Sequence, residues 1–591
     1  MILCENRVPC GAIYVRPGIL ERYHQESEML AAEELRFYLG RMTVTPFQCA
    51  EYDPGEPDGF YIGSVSGLDV SALGDDGFRI VCDGKTVRIN GGKRGLFYGV
   101  YEFLERLGCR FFTPTCEKIP LVSVLSVEPF DYTGLPAFEY REMDYTDVTS
   151  KPFFCTKMRL NGHYQHQPEI FGGHIRYCAH AHSFAWLVPA EVYGKEHPEY
   201  YCLIDGKRIS GEKDYWQLCL TNPDVLKIAT ESARKMLREN PDKKIISISQ
   251  NDNHHHCQCE KCRQADEEEG SPAGTLIRFV NAMADELKDE FPDVIFDILA
   301  YHYTRPAPHK TLARPNVCVR LCASTTCYTH PFDECPDRSR AVKHPDGTST
   351  VFMDDLEAWS KVCDRLYVWD YVSNFQLYPL PFANWHVLKK NLQVLRDHHV
   401  KGVFEESNRA NGGGVDFNEL RCYLLAKLLW NPDCDTEALR REFMDYVYGP
   451  AAEPLTKYLD LLCKNNEDAN HHLYIQDRVR PPYLTEEHLR EYAALFDEAE
   501  KAVAGDGVRL ARVQRNRLSI RFCEFYWAIT EERRYDAEKI HAFFDDARAL
   551  GLLRMDEWIS VPRTYRALMD GLKDGGRCYT NPPSYDGFDY C

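Results

Sequence analysis

The segment from Lys244 to Tyr301 reads KIISISQNDNHHHCQCEKCRQADEEEGSPAGTLIRFVNAMADELKDEFPDVIFDILAY. It starts with a short apolar run, Lys244–Ser249, and continues through a polar loop into a helical pattern over Thr275–Asp289. A second apolar run, Ile295–Tyr301, ends it. Short apolar runs that alternate with amphipathic helices are typical of parallel α/β folds. The segment therefore predicts one strand–helix–strand unit of a parallel sheet.

The same alternation extends along the chain in both directions. We predict eight strands: Phe138–Asp144, Thr156–Leu160, Tyr177–Ser183, Lys244–Ser249, Ile295–Tyr301, Val317–Cys322, Arg365–Tyr371 and Val400–Glu405. Helical patterns between them cover Asp224–Glu239, Thr275–Asp289, Asp355–Val362 and Trp385–His398. Eight such units predict a (β/α)8 TIM barrel over residues 133–430, with its active site at the carboxyl ends of the strands.

The regions on either side of this predicted barrel have different patterns. Residues 1–132 predict a small α/β accessory domain, with a helix over Glu28–Leu39, a hairpin over Gly77–Gly92 and a helix over Gly95–Leu107. Gly91–Gly95 (GGKRG) lacks the spacing of a phosphate-binding loop, so we interpret it as a tight turn. Residues 431–591 show helical patterns without strands and predict a helical domain.

Composition excludes several classes of partner. The 591 residues carry a net charge of −20, and no basic run with interleaved aromatic residues is present. Nucleic acid and anionic membrane are therefore not expected as partners. No apolar run reaches the roughly 18 residues of a membrane span, and the N-terminus lacks a secretory pattern. The 24 scattered cysteines are typical of reduced thiols, so we expect a cytoplasmic protein; its oligomeric state is not predicted.

Acidic, amide, imidazole and aromatic side chains crowd the predicted strand ends. The candidates for substrate binding are His182, Asn253, Tyr301, His302, Trp369, Asp370, Tyr371, Asn374 and Asn408. Three acids, Glu405, Glu406 and Asp252, are the candidates for catalysis. Glycoside hydrolysis needs a proton donor for the leaving oxygen and a group that stabilises the oxocarbenium-like carbon. The alternatives are a solvated loop start for the two glutamates and an Asx-turn or helix cap for Asp252.

Two adjacent residues of a strand point to opposite faces, so Glu405 and Glu406 cannot both face a pocket. We predict that Glu405 faces it, because the neighbouring Phe404 supplies an apolar wall that raises a carboxyl pKa, as a general acid requires. Glu406 is then expected to point away. Asp252 or Asp370 is predicted to steady an acetamido group or the oxocarbenium ion.

A second motif combines histidines and cysteines. Residues 254–262 read HHHCQCEKC, and Cys257, Cys259 and Cys262 could bind a structural zinc with a fourth ligand from elsewhere. The fourth ligand could be one of the three histidines, Cys202 or Cys219. The alternative is a buried loop in which reduced cysteines only pack. No cofactor is required for the predicted chemistry.

Several long motifs, in preserved order, resemble one domain family catalogued as of unknown function. They are SISQNDNHHHCQCEKC, GTLIRFVNAMADEL, ILAYHYTRPAP, VWDYVSNFQLYPLPF, VKGVFEESN and LRCYLLAKLLWNPDCD, and the resemblance covers roughly residues 75–460. Part of that family is glycoside hydrolase family 163, endo-β-N-acetylglucosaminidases that act on N-glycans. The segment DGFRIVCDGKTVRINGGKRGLFYGVYEFLERLGCRFFTP also resembles the domain that precedes the barrels of α-glucuronidases and β-hexosaminidases.

The resemblance implies an accessory domain, a (β/α)8 barrel and a C-terminal helical region. It also implies a retaining β-N-acetylglucosaminidase-like hydrolase that acts on N-glycans or other GlcNAc-containing oligosaccharides, with Tyr301, Trp369 and Tyr371 as walls of the sugar subsite. Two alternatives stay open. One is an α-glucuronidase-like enzyme, for which Arg305 and Arg409 are the nearby arginines that could grip a carboxylate. The other is a non-catalytic carbohydrate-binding protein.

Overall fold

The computed structural model describes residues 1–22, 25–55, 58–211, 216–344, 347–408, 414–531 and 536–573. Two six-stranded sheets form the framework of this part of the chain. The smaller sheets pair Ile2–Glu5 with Val8–Pro9 and Val124–Ser126, Arg110–Thr113 with Cys116–Lys118, Leu203–Ile204 with Lys207–Arg208, and Val342–Lys343 with Ser349–Thr350.

The first large sheet is mixed. Its strands are β1 (Ala12–Val15), β2 (Cys49–Glu51), β3 (Gly59–Ile62), β4 (Phe78–Cys82), β5 (Thr86–Gly91) and β6 (Phe130–Gly134). The order across the sheet is β6-β4-β5-β3-β1-β2, with β4 antiparallel to both β5 and β6. Helices Ser27–Thr43 and Gly95–Arg106 pack against it.

The predicted hairpin over Gly77–Gly92 is confirmed as β4 and β5. Asp83 closes its turn by accepting hydrogen bonds from the backbone N–H groups of Lys85 and Thr86. The backbone of the GGKRG segment that follows packs closely against the backbone of Gly77, in agreement with a tight turn. A Cβ on Gly95 would lie 2.0 Å from the carbonyl oxygen of Gly77, so no other residue fits there without a shift of the backbone.

The second large sheet is entirely parallel and will be called the central sheet. Its strands are β7 (Tyr140–Met143), β8 (Ile245–Ser247), β9 (Ile295–Ala300), β10 (Val317–Cys322), β11 (Leu366–Tyr371) and β12 (Val400–Glu406). They lie in the order β7-β12-β11-β10-β9-β8. Six of the eight predicted strands are therefore confirmed, with boundaries that shift by a few residues.

The predicted strand over Thr156–Leu160 is wrong. Helix Pro152–Lys157 covers its start, and Arg159 has a left-handed backbone with φ of 56°. The alternation of Thr156, Met158 and Leu160 imitated a strand, whereas Pro152 at the first turn favours a helix. The predicted strand over Tyr177–Ser183 does not form as a regular strand. Tyr177 makes an isolated β-bridge with Ile245 in β8, and Cys178 and Ala179 add backbone hydrogen bonds to Ile245 and Ser247.

Irregular backbone connects the two outermost strands of the central sheet. The Asn161 N–H donates to the Arg141 carbonyl in β7, and the Ile175 N–H donates to the Asn161 carbonyl. Next along the chain, the Arg176 carbonyl accepts from the N–H of Ile245 in β8. Irregular backbone with scattered hydrogen bonds thus occupies the places where the second and third strands were expected.

Helices cover the outside of the central sheet and make up the C-terminal part. Those between the strands are Pro223–Glu239, Glu260–Glu269, Pro272–Leu287, Phe352–Val362 and Leu388–Asp397, and Asn418–Trp430 follows β12. Asn222 and Ser271 cap two of them with side-chain oxygens. The C-terminal helices are Thr436–Val447, Ala452–Asp468, Glu486–Ala502, Gly507–Thr530, Ala537–Ala549 and Val561–Lys573. None of the helices in the described residues is both long and apolar enough to span a membrane.

A buried polar network joins the first sheet to the central sheet. Asp76, just before β4, contacts the Arg94 Nε at 2.5 Å and the Arg141 Nη1 at 3.4 Å. The Asn161 amide also donates to Asp76, at 2.8 Å. These two arginines hold the pKa of Asp76 below its usual value although burial opposes ionisation. The Arg141 side chain is fully buried, so it depends on this partner.

Asp76→Ala should therefore destabilise the protein strongly, because it leaves a buried guanidinium without its counter-charge. We expect a loss of about 3–5 kcal/mol in the free energy of unfolding of the unit that contains it. Asp75→Ala is the matched control, since Asp75 is exposed and lies 3.4 Å from Arg94. Thermal and urea unfolding of both variants check this, and equal midpoints for the two would contradict it.

Candidate active site

The concave face of the central sheet has its own cluster of side chains. Tyr140, Tyr177, Ile245, Cys318, Tyr367 and Phe404 form this cluster, separate from the main hydrophobic core. Since side chains alternate along a strand, the residues two positions further along β11 and β12 face the same way. Trp369 and Glu406 are those residues, and both lie at the carboxyl ends of their strands.

Glu406 is held on the concave face by Trp369. The indole Nε1 donates a hydrogen bond to the Glu406 carboxylate at 2.7 Å. The Trp369 ring packs against Phe404, with ring centroids 4.9 Å apart, and the Arg320 guanidinium lies 5.0 Å from the Trp369 ring. These contacts fix the plane of the indole and, through it, the position of the carboxylate.

Glu405 points in the opposite direction, behind the sheet. It is 1% exposed and pairs in register with Asp370, which is also buried. Tyr328 donates to the Asp370 carboxylate at 2.9 Å, and the Arg421 charge acts on Glu405 from helix Asn418–Trp430. The orientation expected from the sequence is therefore reversed: Glu406, not Glu405, lies on the concave face. The catalytic role predicted for Glu405 stays a prediction.

Burial sets the ionisation of this hidden pair. It raises the pKa of Asp370 to about 7, against hydrogen bonds from the Tyr371 N–H and the Tyr328 hydroxyl that favour the charged form. Burial and the neighbouring Asp370 charge raise the pKa of Glu405 well above its usual value. One oxygen of Glu405 has no hydrogen-bond partner. Burial thus favours the protonated forms of Asp370 and Glu405, because two negative charges side by side in an apolar space would be unfavourable.

Asp252 approaches the same edge of the sheet from the loop after β8. The His302 Nε2 lies 3.6 Å from the Asp252 carboxylate, and hydrogen bonding to His302 lowers the pKa of Asp252. The Tyr301 ring packs against the His302 ring with centroids 3.6 Å apart. Negative charge on both Asp252 and Glu406 contributes to the raised pKa of Tyr301, whose main cause is burial. Tyr301 therefore lies within electrostatic reach of both carboxylates.

Two histidines of the predicted site have unusual backbone conformations. His182 and His302 have φ of 51° and 52°, in the left-handed region that β-carbon-bearing residues rarely adopt. The His182 Nδ1 lies 2.8 Å from the Gln250 carbonyl oxygen, which fixes its ring near Tyr301 at a centroid distance of 6.2 Å. Strain of this kind at strand ends is common in functional sites.

Other predicted site residues are engaged in structural hydrogen bonds. Asn374 accepts from the backbone N–H groups of Gln376 and Leu377, and Asn408 accepts from the Asn418 amide at 2.7 Å. Asn253 accepts from the Gln217 amide at 3.0 Å.

Tyr371 is buried, and burial raises its pKa well above the usual value. Asp144, at the end of β7, accepts from both the N–H and the hydroxyl of Ser407.

Sequence reasoning missed the polar groups on the floor of this face. Arg320 in β10 is fully buried and pairs with Asp297 in β9 at 2.8 Å. It also reaches the His180 ring at 3.1 Å. Glu142 in β7, also fully buried, accepts from the Tyr140 hydroxyl at 2.5 Å. The signal was present, because a charged residue inside a buried strand must find a partner.

Of the two arginines considered for the α-glucuronidase-like alternative, the structure describes Arg305, and its guanidinium is already engaged by other residues. Arg305 is 2% exposed and donates to Asp355 at 2.7 Å and to the Thr350 carbonyl oxygen at 2.8 Å. It is therefore not at hand for a substrate carboxylate. Arg409 lies outside the described residues.

The three predicted zinc ligands converge with Cys219. The ligand atoms of Cys219, Cys257, Cys259 and Cys262 all lie within 4.8 Å of one another. The Cys219 sulfur is 3.7 Å from that of Cys259 and 3.9 Å from that of Cys262. A tetrahedral site with Zn–S bonds of about 2.3 Å separates its sulfurs by about 3.8 Å. The sulfur spacing fits zinc, with Cys219 as the fourth ligand.

Residues 111–460 match the family model described as "Domain of unknown function (DUF4838)". The match spans more than half of the chain. The chain belongs to the DUF4838 family. No curated protein matches it.

Several solved structures resemble this DUF4838 protein. A family 89 glycoside hydrolase from Clostridium perfringens, in complex with PUGNAc, is 11% identical with a TM-score of 0.50, over 90% of this chain and 66% of that one. A GH138 enzyme targeting pectin rhamnogalacturonan II is 9% identical, with a TM-score of 0.42, over 96% of this chain and 80% of that one. CpGH84B is 12% identical, with a TM-score of 0.38 over 92% of both chains.

At such identities only the fold is comparable. The first of these likenesses agrees with a mixed α/β fold that contains a parallel sheet, compatible with a TIM-like domain. The general fold expectation is thereby confirmed for this DUF4838 protein.

The hidden pair of acids predicts a pH-dependent stability. Since the folded-state pKa values of Glu405 and Asp370 are raised above roughly 4, their unfolded value, their stabilising contribution is present below pH 4. It is lost as the pH rises through their folded-state pKa values, and that of Asp370 is about 7. Glu405→Gln removes one of the two charges and should flatten the fall in stability between pH 5 and 8.

Thermal unfolding at several pH values measures this effect. Glu406→Gln is the matched control, because it makes the same change one residue further on, on the other face of the strand. It should keep the wild-type slope. If Glu405→Gln leaves the slope unchanged, the two carboxyls do not share a low-dielectric environment.

Proposed function

We propose that this protein is a glycoside hydrolase whose active site lies on the concave face of the central sheet, at the carboxyl ends of its strands. The observation that carries the proposal is the hydrogen bond from Trp369 to Glu406, together with the contact of Tyr301 with His302, which lies 3.6 Å from Asp252. Two carboxylates beside aromatic rings supply what glycoside hydrolysis needs: a proton donor, a charge stabiliser and flat surfaces for a sugar.

The proposed roles follow from the environment of each acid. Asp252 has a lowered pKa and is therefore ionised at neutral pH, as a group must be that stabilises positive charge at the anomeric carbon. Glu406 is then the proton donor to the leaving oxygen. The hydrogen bond from the Trp369 N–H holds the Glu406 side chain in position. His302 orients Asp252.

The proposed substrate is an oligosaccharide that contains N-acetylglucosamine, with N-glycans as one class. The resemblance of the sequence motifs to glycoside hydrolase family 163 supports this substrate class. In a retaining mechanism assisted by the substrate, Asp252 would steady the 2-acetamido group. Tyr301, Trp369 and Tyr371 would form the walls of the sugar subsite.

The proposal includes a closed barrel with two flanking domains. The hydrogen bonds through Asn161 and Ile175, which connect β7 to β8, support the closure. The boundaries that we propose are those of the sequence analysis: 1–132, 133–430 and 431–591.

The activity test compares two neighbouring glutamates. Glu406→Gln should lower kcat by a factor of about 10² or more, the range for loss of a general acid, on any glycoside that the wild type cleaves. Glu405→Gln is the matched control and should keep activity within a few-fold. A panel of nitrophenyl glycosides, together with mass spectrometry of N-glycans, provides the substrates. The Glu406→Gln loss should be smaller on nitrophenyl leaving groups, which need little protonation.

The reverse result would contradict the assignment. If Glu405→Gln abolishes activity and Glu406→Gln does not, Glu405 is the acid, as the sequence analysis predicts, and the assignment to Glu406 is wrong. If the wild type binds oligosaccharides but cleaves none of the panel, the non-catalytic carbohydrate-binding alternative is favoured. Cleavage of glucuronides alone would favour the α-glucuronidase-like alternative.

We further propose that Cys219, Cys257, Cys259 and Cys262 hold a structural zinc. The Leu203 N–H and the Arg208 guanidinium contact the Cys257 sulfur at 3.4 Å and 3.7 Å, which favours a thiolate. Four protein ligands leave no open position for catalysis. The zinc would anchor the loop that carries Asp252 and leave its approach to His302 intact.

Metal analysis tests this site. Cys219→Ser should lower the zinc content of the purified protein by one equivalent per chain. Cys202→Ser is the matched control: Cys202 is a buried thiol whose sulfur accepts from the Gln217 N–H at 3.2 Å, outside the cluster. Equal zinc contents of the two variants would leave only the packing interpretation.

A further inference from the structure

A second group of metal-ligand side chains is formed by the loop after β10 and the segment after helix Ala452–Asp468. Cys327, His330 and Cys335 belong to the loop after β10, and His472 follows helix Ala452–Asp468. Their ligand atoms all lie within 4.8 Å of one another. Because 137 residues separate Cys335 from His472, only the fold brings the set together.

The distances within the group fit a tetrahedral ion. The His330 Nδ1 is 3.4 Å from the Cys327 sulfur and 3.9 Å from the Cys335 sulfur. The His472 Nδ1 is 3.4 Å and 3.6 Å from the same two sulfurs. A zinc with Zn–S of about 2.3 Å and Zn–N of about 2.05 Å separates sulfur from nitrogen by about 3.6 Å. All four sulfur–nitrogen distances scatter around that value.

Neighbouring groups prepare these side chains as ligands. The far ring nitrogen of His330, Nε2, lies 3.1 Å from the Asn470 Oδ1. A proton on Nε2 leaves the Nδ1 lone pair directed at the thiols, as in the outer-shell hydrogen bonds of metal-bound histidines. The Thr329 N–H lies 3.4 Å from the Cys327 sulfur and stabilises it as a thiolate.

We propose that Cys327, His330, Cys335 and His472 bind a zinc ion that fastens the loop after β10 to the C-terminal helical segment. Two sulfurs and two imidazole nitrogens in tetrahedral spacing are the donor set and geometry that zinc takes in structural sites. All four positions are supplied by the protein, so the ion has a structural role.

The ion would also hold in place the contact of Tyr328 with Asp370, one of the two buried acids. Tyr328 lies between the proposed ligands Cys327 and His330 in the loop after β10, and its hydroxyl donates to Asp370 at 2.9 Å. The Tyr328 N–H donates to the Leu473 carbonyl oxygen at 2.8 Å, next to His472. The zinc therefore crosslinks the two segments on either side of this contact. Its loss should release Tyr328 from Asp370 and lower the thermal stability of the protein.

Zinc analysis of matched variants tests the proposal without reference to any enzymatic activity. The purified wild type should hold two equivalents of zinc per chain if both sites bind. His472→Gln and Cys335→Ser should each remove one equivalent, and Cys259→Ser should remove the other. His471→Gln is the matched control, because His471 is the adjacent imidazole and lies outside the group; it should keep both equivalents.

Anomalous X-ray scattering at the zinc edge of wild-type crystals provides a second measurement that does not depend on the folding of a variant. A peak between the Cys327, Cys335 and His472 ligand atoms is the expected result. The proposal is overturned if no peak lies there, or if His472→Gln and His471→Gln retain equal zinc.

Discussion

The parallel pairing of β11 with β12 is the constraint on which the candidate site depends. Its register sets Asp370 beside Glu405 and Tyr371 beside Glu406. Because side chains alternate, this one register sends Glu406 to the concave face with Trp369 and sends Glu405 behind the sheet with Asp370. A slip of β12 by one residue would exchange the faces of its two glutamates, put Glu405 into the pocket and move Glu406 away from the Trp369 indole. The two glutamates thus have different environments although they are neighbours in the chain.

Much of the fold could be predicted from the sequence, since it depends on local patterns. Strands β8 to β12 are short apolar runs bounded by polar loops, and the hairpin of β4 and β5 has an Asp-Gly turn. The failures have physical causes. Thr156–Leu160 alternates like a strand, yet Pro152 begins a helix there. The segment after Tyr177 contains His182, whose left-handed backbone cannot continue a pleat.

The site was less predictable, because it depends on the register and on contacts between distant segments. The candidate residues around Asp252, His302 and Trp369 could be found from strand ends, but the face on which Glu405 lies could not. Arg320 and Glu142 are charged residues within apolar strands. Arg320 finds its partner, Asp297, on another strand, and Glu142 accepts from the N–H of Tyr164, more than 20 residues away. Cys219 and His472 join their clusters from far along the chain, so spacing alone could not identify both metal-ligand sets.

The two metal-ligand clusters and the carboxylates suggest one arrangement in which rigid loops carry the chemistry. One cluster lies beside the loop with Asp252, and the other beside the contact of Tyr328 with Asp370.

The central claim is that the substrate is processed on the concave face. A crystal structure with a cyclic transition-state analogue of N-acetylglucosamine tests it most directly. The account predicts the sugar ring against Trp369 and Tyr301, with Glu406 in hydrogen-bond distance of the anomeric substituent. An analogue bound next to Glu405, or away from the concave face, would contradict it.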